Sequence, residues 1–290
     1  MINSYKVKIL TDEVEAKNLG DEAFDERWKR WYSCSLCEQN YHGVVRGALG
    51  WACWKTYLGR PDSDQDRRMA MVQLGNSLSA AGHHEDALAV KQAHLSTERR
   101  LGASERNILA AQGNLANTYH MLGRHEEALR VRREVYAQRL KLSGKEHVET
   151  IREALCYALV LIASRRFNDA KTLTRKTIPV ARRVLGNSHE YTLRMRSSYA
   201  RALYEDDGAT LEDLREAVET LEDAERIARR VLGGVHPITE AFEDNLQDAR
   251  DALRDREETR DAFRTARAKL AQERAELAKT LADAIARLPK

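Results

Sequence analysis

The sequence predicts an all-α protein, a solenoid of about five helical hairpins with a capping and long helix at its C-terminal end. Three observations favour this fold class. The 290 residues contain only four prolines, against about 14 at average usage. A segment recurs at intervals of 41 or 42 residues. Glycine follows the second helix of each copy, as expected where helices end.

The repeat is clearest in LSAAGHHEDAL at Leu78–Leu88 and YHMLGRHEEAL at Tyr119–Leu129, which lie 41 residues apart. Small residues hold equivalent places in four copies, and they predict where two paired helices approach to about 8 Å. The interval between the two small positions is 12 residues in three copies and 17 in the last, which indicates a five-residue insertion at 207–211 in a turn. The small residues are Gly75, Ala116, Ala158 and Ala200 in the first helices, and Ala87, Ala128, Ala170 and Ala217 in the second helices.

Glycines mark the ends of the second helices, where a left-handed αL cap is expected. They are Gly102, Gly144, Gly186 and Gly233. One period earlier, Leu58-Gly59 is followed by Pro61, so residues 28–58 are predicted to form a divergent first hairpin. The predicted organisation is an N-terminal extension at 1–27, the repeats at 28–239, and a capping helix with a charged helix at 240–290.

The joints between repeats carry a G-x-x-H-x-x-T signature, at 144–150, 186–192 and 233–239. This signature, with NLANTY and LGRHEEAL at Asn114–Leu129, resembles the tetratricopeptide repeats of the kinesin light chain family, which run near 42 residues. The resemblance covers about residues 28–239. It implies a right-handed solenoid of tetratricopeptide-type hairpins that docks peptides or proteins.

Charge and motifs exclude several function classes. Lysine and arginine number 48 and aspartate and glutamate 45, so the chain lacks the basic field that draws nucleic acid. Neither a signal peptide nor a run of about 20 apolar residues is found, which predicts a cytoplasmic protein with no membrane partner. The sequence also lacks a glycine-rich phosphate loop, a nucleophile elbow and a zinc-protease helix. We therefore expect neither catalysis nor a cofactor.

Histidines and cysteines raise the question of a metal. His147, His189 and His236 occupy equivalent joints, so they are predicted to cap helices rather than converge on an ion. Three cysteines and a histidine near the N-terminal end offer four zinc-type ligands within 20 residues. A zinc-bearing regulatory module is therefore an alternative function. The irregular spacing favours buried cysteines beside an aromatic cap of tryptophans, with no metal. The candidate ligands are Cys34, Cys37, His42 and Cys53.

The first helix of each repeat is expected to line a concave groove. Polar side chains on that face form the predicted peptide-binding site: Gln73, Asn76, Asn114, Asn117, Arg152, Arg194, Ser198 and Arg201. Asparagine amides can bond a peptide backbone, and arginine can bind carboxylates in bidentate fashion. The predicted function is a protein-interaction scaffold or adaptor for an acidic linear peptide. The alternative is that these residues are solvated side chains of an exposed face.

The C-terminal segment shows a broken coiled-coil pattern. Its apolar residues keep a 3,4 spacing, but Arg256, Arg260 and Arg274 fall into the same seam. This favours a long helix that lies partly against the repeats or is frayed in solvent, and the alternative is a self-associating structural rod. The apolar residues are Phe263, Ala266, Leu270, Leu277, Leu281, Ala284 and Leu288.

Overall fold

The computed structural model describes Glu26, residues 28–37 and residues 39–286, with side chains to residue 279. Glu26 and Trp28 are helical, a 3₁₀ turn follows at Lys29–Trp31, and residues 43–286 form ten α-helices. The only extended pairing among the described residues is an isolated bridge between Ser33 and Asn40. The predicted all-α solenoid is confirmed. The helices are α1 Gly43–Tyr57, α2 Gln65–Ala80, α3 His84–Arg100, α4 Glu105–Met121, α5 His125–Ser143, α6 Val148–Ala163, α7 Phe167–Leu185, α8 Glu190–Tyr204, α9 Leu211–Leu232 and α10 Pro237–Ala286.

The chain divides into two compact units, residues 1–145 with α1 to α5 and residues 146–290 with α6 to α10. In the first unit each helix packs on the next one in the chain, from α1 through α5. The same holds from α6 through α10 in the second unit, where α6 also contacts α8 and α8 contacts α10. The first helices of the hairpins are thus neighbours in the second unit, as the solenoid predicts.

The small residues of the repeat are buried in the packing between helices. All seven of the predicted alanines have 0% exposure, and Gly75 is buried in α2. A Cβ atom at Gly75 would lie 3.0 Å from Cγ of Lys91. Glycine therefore leaves room for the buried Lys91 side chain, whose Nζ donates to Ser79 Oγ at 2.9 Å and to Thr118 Oγ1 at 2.8 Å. Burial lowers the pKa of Lys91 to about 8.

The predicted first hairpin is described in part, and its pairing of two helices stays a prediction. Trp28 is helical, the Lys29–Trp31 turn follows, and in the loop before α1 the amide of Cys34 donates to the carbonyl of Gln39 at 2.9 Å. Trp28 and Trp31 pack against α1 and are 6% and 0% exposed. Both indoles therefore belong to the apolar core around α1.

The histidine joints are helix caps, as predicted. Nδ1 of His147, His189 and His236 accepts a hydrogen bond from the backbone N–H two residues further on, at 3.1 to 3.2 Å. Each imidazole thus satisfies one of the free amides at the start of α6, α8 and α10. Separate caps of this kind leave the three imidazoles in three different joints.

The glycines before these joints differ in one respect from the prediction. Gly144, Gly186 and Gly233 have φ of 77°, 92° and 90°, but their ψ values of 171°, 163° and 162° are extended rather than αL. This region is open to glycine and closed to residues with a Cβ atom. The extended ψ turns the chain away from the finished helix toward the next histidine cap.

The predicted insertion lies in the turn between α8 and α9, at residues 205–210. It is packed rather than loose, because Ala209 is 2% exposed and Lys171 Nζ lies 3.0 Å from Asp206 Oδ2. Arg256 of α10 donates to the carbonyls of Ala209 and Asp207 at 2.7 and 3.2 Å. The arginine that interrupts the apolar seam therefore fastens the inserted turn to α10.

The C-terminal segment is one helix of 50 residues that begins at Pro237. Phe242, Leu246 and Ala249 pack into the core formed with α8 and α9. Every described side chain from residue 258 to residue 279 is exposed. The helix thus lies partly against the repeats, and self-association through its exposed part stays a prediction.

Several sequence predictions fall where the structure describes little. Residues 1–27 lie outside the described residues except for Glu26, as does Leu288, and the side chains of Leu281 and Ala284 are likewise not described. Within the described range, we find no helix with the length and apolar character needed to span a bilayer.

Candidate peptide-binding surface

Open cavities lie between first helices in each unit. In the first unit, a cavity of about 390 Å³ lies between α2 and α4, above α3. In the second unit, a cavity of about 280 Å³ lies between α8 and α10 beside Leu159 of α6. We call them the α2–α4 cavity and the α8–α10 cavity. Of the predicted site residues, Asn114 lines the first cavity, and Arg194, Ser198 and Arg201 line the second.

The α8–α10 cavity brings together three of the eight predicted site residues. Arg194, Ser198 and Arg201 line it from one face of α8, because their spacings of four and three residues match the helical turn. Its apolar lining is contributed by Leu159, Pro237, Ile238, Ala241 and Phe242. The cavity therefore combines two guanidinium groups at an edge with an apolar wall.

Both arginines of this cavity pair with acids of their own helix end. Arg194 Nη1 lies 2.9 Å from Glu190 Oε1, and Arg201 Nε lies 2.8 Å from Glu205 Oε1. The Arg194 side chain is 48% exposed and that of Arg201 34%. Helical i,i+4 pairs of this kind contribute only about 0.3 to 0.5 kcal/mol. A carboxylate of a ligand can therefore compete for either guanidinium group.

Ser198 lines the cavity, but its hydroxyl is already used. The side chain is 2% exposed and Oγ donates to the carbonyl of Arg194 at 2.9 Å. The opposite edge is fixed by Asn245 of α10, whose Oδ1 accepts from Tyr204 Oη at 3.0 Å. Burial raises the pKa of Tyr204, so this phenol remains a donor. The Tyr204–Asn245 bond thus holds α8 and α10 at a set separation.

The α2–α4 cavity contains Asn114 of the predicted set. Its base is an ion-pair cluster, in which Glu98 Oε1 lies 2.9 Å from Arg68 Nε and 3.4 Å from His94 Nε2. Glu98 is 3% exposed, and its Oε2 has no hydrogen-bond partner among the described residues. Burial lowers the pKa of His94, and the nearby Glu98 carboxylate partly opposes that shift. The cavity therefore has an acceptor at its base and an exposed amide, Asn107, at its rim.

Gln73 is a wrong prediction for the groove. Its side chain is 4% exposed and Nε2 donates to the carbonyl of Trp31 at 3.2 Å. The physical reason is that the Lys29–Trp31 turn covers this part of α2. Sequence spacing placed Gln73 on the correct side of the helix but could not show what lies over it.

The remaining predicted residues lie outside the linings of both cavities. Asn76 is half-buried. Asn117 is exposed, but its Oδ1 accepts a hydrogen bond from Arg132 of the paired helix α5. Arg152 forms an ion pair with Glu149 one turn earlier on α6. Their part in peptide binding stays a prediction.

The four candidate zinc ligands are not brought together. Cys53 is 0% exposed in an apolar cluster with Trp28, Trp31 and Tyr57, and burial raises its pKa. Cys34 and Cys37 lie in the loop that precedes α1. Over the described range, no three histidine, cysteine, aspartate or glutamate side chains are grouped so as to hold a metal ion.

Cys34 is nonetheless the reactive thiol that the structure indicates. Hydrogen bonds from the backbone N–H groups of Leu36 and Cys37 stabilise its thiolate and lower its pKa from 9.0 to about 7. We expect alkylation of Cys34 by iodoacetamide to rise about tenfold per pH unit below pH 7 and to level off above it. Cys53 should react only after unfolding. Peptide mass spectrometry across pH 5 to 9 measures both rates, and a Cys34 midpoint near pH 9 would contradict the loop geometry.

The comparisons with known proteins agree with this architecture. Residues 108–149, which span α4, α5 and the following joint, match the family model for the tetratricopeptide repeat. No curated protein matches the sequence of the chain. Among solved structures, the fold is similar to that of a Podosopora anserina protein described as kinesin light chain nearly identical TPR-like repeats. The identity is 23% and the TM-score 0.56, and the match covers 72% of this chain and 97% of that chain.

Two further solved structures are similar at lower identity. BtubC (BKLC) from P. vanneervenii matches at 13% identity and a TM-score of 0.56, covering 76% of this chain and 91% of that chain. A Rap protein complexed with competence and sporulation factor matches at 14% identity and a TM-score of 0.52, covering 87% of this chain and 66% of that chain. At these identities the similarity establishes the fold.

The sequence did not reveal the base of the α2–α4 cavity or the buried arginine of α8, Arg196. Charged residues are ordinarily solvated, so nothing in the pattern marks Glu98 or Arg196 as 3% exposed. One signal was present, since His94 and Glu98 stand four residues apart on the second helix α3. The predicted groove was placed on the first helices, so this pair on a second helix was not included in it.

Proposed function

We propose that this chain, a kinesin light chain-like tetratricopeptide-repeat solenoid, is a protein-interaction scaffold that binds an acidic peptide segment in the α8–α10 cavity. The observation that carries the proposal is the meeting of Arg194 and Arg201 with an apolar wall in one open cavity. The similar Rap protein, solved in complex with competence and sporulation factor, supports a binding role for this fold.

The chemistry of the cavity favours a particular ligand pattern. An apolar side chain of the peptide would cover Ile238 and Ala241, and it would gain about 25 cal/mol for each Å² of apolar surface removed from water. Carboxylates on either side of it would reach Arg194 and Arg201, which stand seven residues apart, about two helical turns or 10 Å. The proposed motif is therefore an apolar residue flanked by aspartate or glutamate.

The ligand must displace the existing pairs with Glu190 and Glu205. Since those pairs are partly exposed and weak, the exchange costs little, and the new pairs gain strength when the peptide excludes water. Catalysis is not part of this proposal, and a cytoplasmic location stays a prediction.

A displayed library of random peptides tests the proposal. We expect the selected peptides to be enriched in acidic residues around an apolar one. The double variant Arg194→Ala/Arg201→Ala should bind them at least about tenfold more weakly, because truncating an interfacial arginine can cost about 2 kcal/mol. Binding should also weaken with added salt. Fluorescence anisotropy with labelled peptides gives the dissociation constants.

The matched control is Arg230→Ala, which removes an exposed charge of α9 that lines neither cavity. It should bind like the parent chain. Selected peptides without acidic residues, or equal affinity of the double variant and the parent, would refute the proposed site. Circular dichroism spectra of the variants must match that of the parent for the comparison to count.

A further inference from the structure

A recess of about 230 Å³ lies among α7, α8 and α9 in the second unit. We call it the α7–α9 recess. Its cationic lining is Arg175 and Arg182 of α7 with Arg196 of α8, and its remaining lining includes Ile178 and Pro179. None of its lining residues lines the α8–α10 cavity, so it is a separate surface from the proposed peptide site.

Arg196 is a buried cation with unused donors. It is 3% exposed, and its Nη2 donates to the carbonyl of Thr220 at 3.2 Å and to Asp223 Oδ2 at 2.7 Å. Its Nε and Nη1 are buried and have no hydrogen-bond partner among the described residues. An arginine keeps its charge in proteins, and burial deprives this guanidinium of solvation. Because Arg196 lines the recess, an anion bound there would offset that loss.

The charges around Arg196 do not balance. Asp223 is shared between Arg196 and Arg226, while Glu216 accepts from Tyr199, which in turn accepts from Arg175 at 2.6 Å. Arg182 is exposed, and its side chain has no hydrogen-bond or ion-pair partner within the described part of the chain. The lining of the recess thus contains three guanidinium groups and one carboxylate, that of Glu216, and Arg182 contributes an exposed positive charge.

We propose that the α7–α9 recess binds a phosphate group, either as the free ion or on a phosphorylated side chain, through Arg182 and Arg196. A phosphate group carries up to two negative charges and three acceptor oxygens, so it can neutralise more of the positive lining than a carboxylate can, and it can accept from more than one arginine. The recess is larger than a phosphate ion, and Ile178 and Pro179 supply an apolar wall for whatever carries the group.

Isothermal titration calorimetry on the full chain tests this site, with inorganic phosphate, O-phosphoserine and O-phosphotyrosine as probes at matched ionic strength. We expect saturable binding of at least one probe. Arg182→Ala should weaken it at least about tenfold, and since Arg182 is exposed the thermal melt should not change. Arg133→Ala is the charge-matched control, because Arg133 is an exposed arginine of the first unit; it should bind as the parent does.

Each outcome has a defined meaning. Tighter binding of a phosphorylated amino acid than of inorganic phosphate would support the site and assign it to phosphorylated side chains. Equal affinities would support it as a site for the free ion. Absence of saturable binding to all three probes, or the same dissociation constant for Arg182→Ala and the parent, would overturn the proposal. Arg196→Gln should also lose binding; if it unfolds, Arg182→Ala alone decides.

Discussion

Replacing Gly50 with valine is expected to destabilise the first unit by about 3 kcal/mol or more. A Cβ atom built on Gly50 of α1 would lie 2.4 Å from Cβ and 2.5 Å from Oγ of Ser77 in α2. Neither helix can retreat without disturbing the core around Trp31, Cys53 and Tyr57. Overpacking of a close-packed site costs about 1 to 3 kcal/mol and sometimes more, and valine adds two further methyl groups.

Tryptophan fluorescence gives a local readout of this effect, since all four tryptophans of the chain lie at positions 28 to 54. Urea titrations of the parent and the variant would compare their free energies of unfolding. The matched control is Gly47→Ala on the same helix, where the new Cβ would lie 3.6 Å from Ala81 Cβ, an ordinary contact. That change should stabilise α1 slightly, because alanine favours a helix over glycine by about 1 kcal/mol. Identical titrations for Gly50→Val and the parent would show that α1 and α2 are not so close.

Replacing Ala128 with tryptophan should unfold or loosen the first unit, lowering its free energy of unfolding by about 3 kcal/mol or more. Ala128 is the small repeat residue of α5, which packs on α4, and it is 0% exposed. An indole there must push the two helices apart. Circular dichroism melts would measure the loss, with Arg130→Trp, on an exposed face of the same helix, as the control. A parent-like melt for Ala128→Trp would mean that the repeat is out of register.

Much of the fold could be predicted because close helix packing leaves a direct trace in the sequence. Gly75, Ala116 and Ala128 are small because each lies in the packing between two helices. The spacing of such residues therefore predicts the positions of both helices of a hairpin. The first repeat has no such trace. Trp28 and Trp31 join the core through contacts with α1 that no local pattern encodes.

The sequence predicts which residues of the candidate site share a helix face, but not what packs over that face. Arg194 and Arg201 share a face by spacing, and the structure places both at the α8–α10 cavity. The same spacing misplaced Gln73, because a distant turn covers it. Arg196 stands two residues from Arg194, yet its 3% exposure follows from packing against α9. Burial of a charge is a tertiary property, and the sequence alone does not display it.

The order in which helices pack has a consequence for how the chain is made. Within each unit, the helix packing follows the chain order, so loop closure costs little entropy and folding can proceed as synthesis does. In the second unit, one apolar surface of α8 and α9 is covered only by the last helix, α10. Leu203, Leu221 and Ala224 are covered by Phe242 and Leu246 of α10, so this apolar surface must stay open on the nascent chain until the start of the last helix leaves the ribosome.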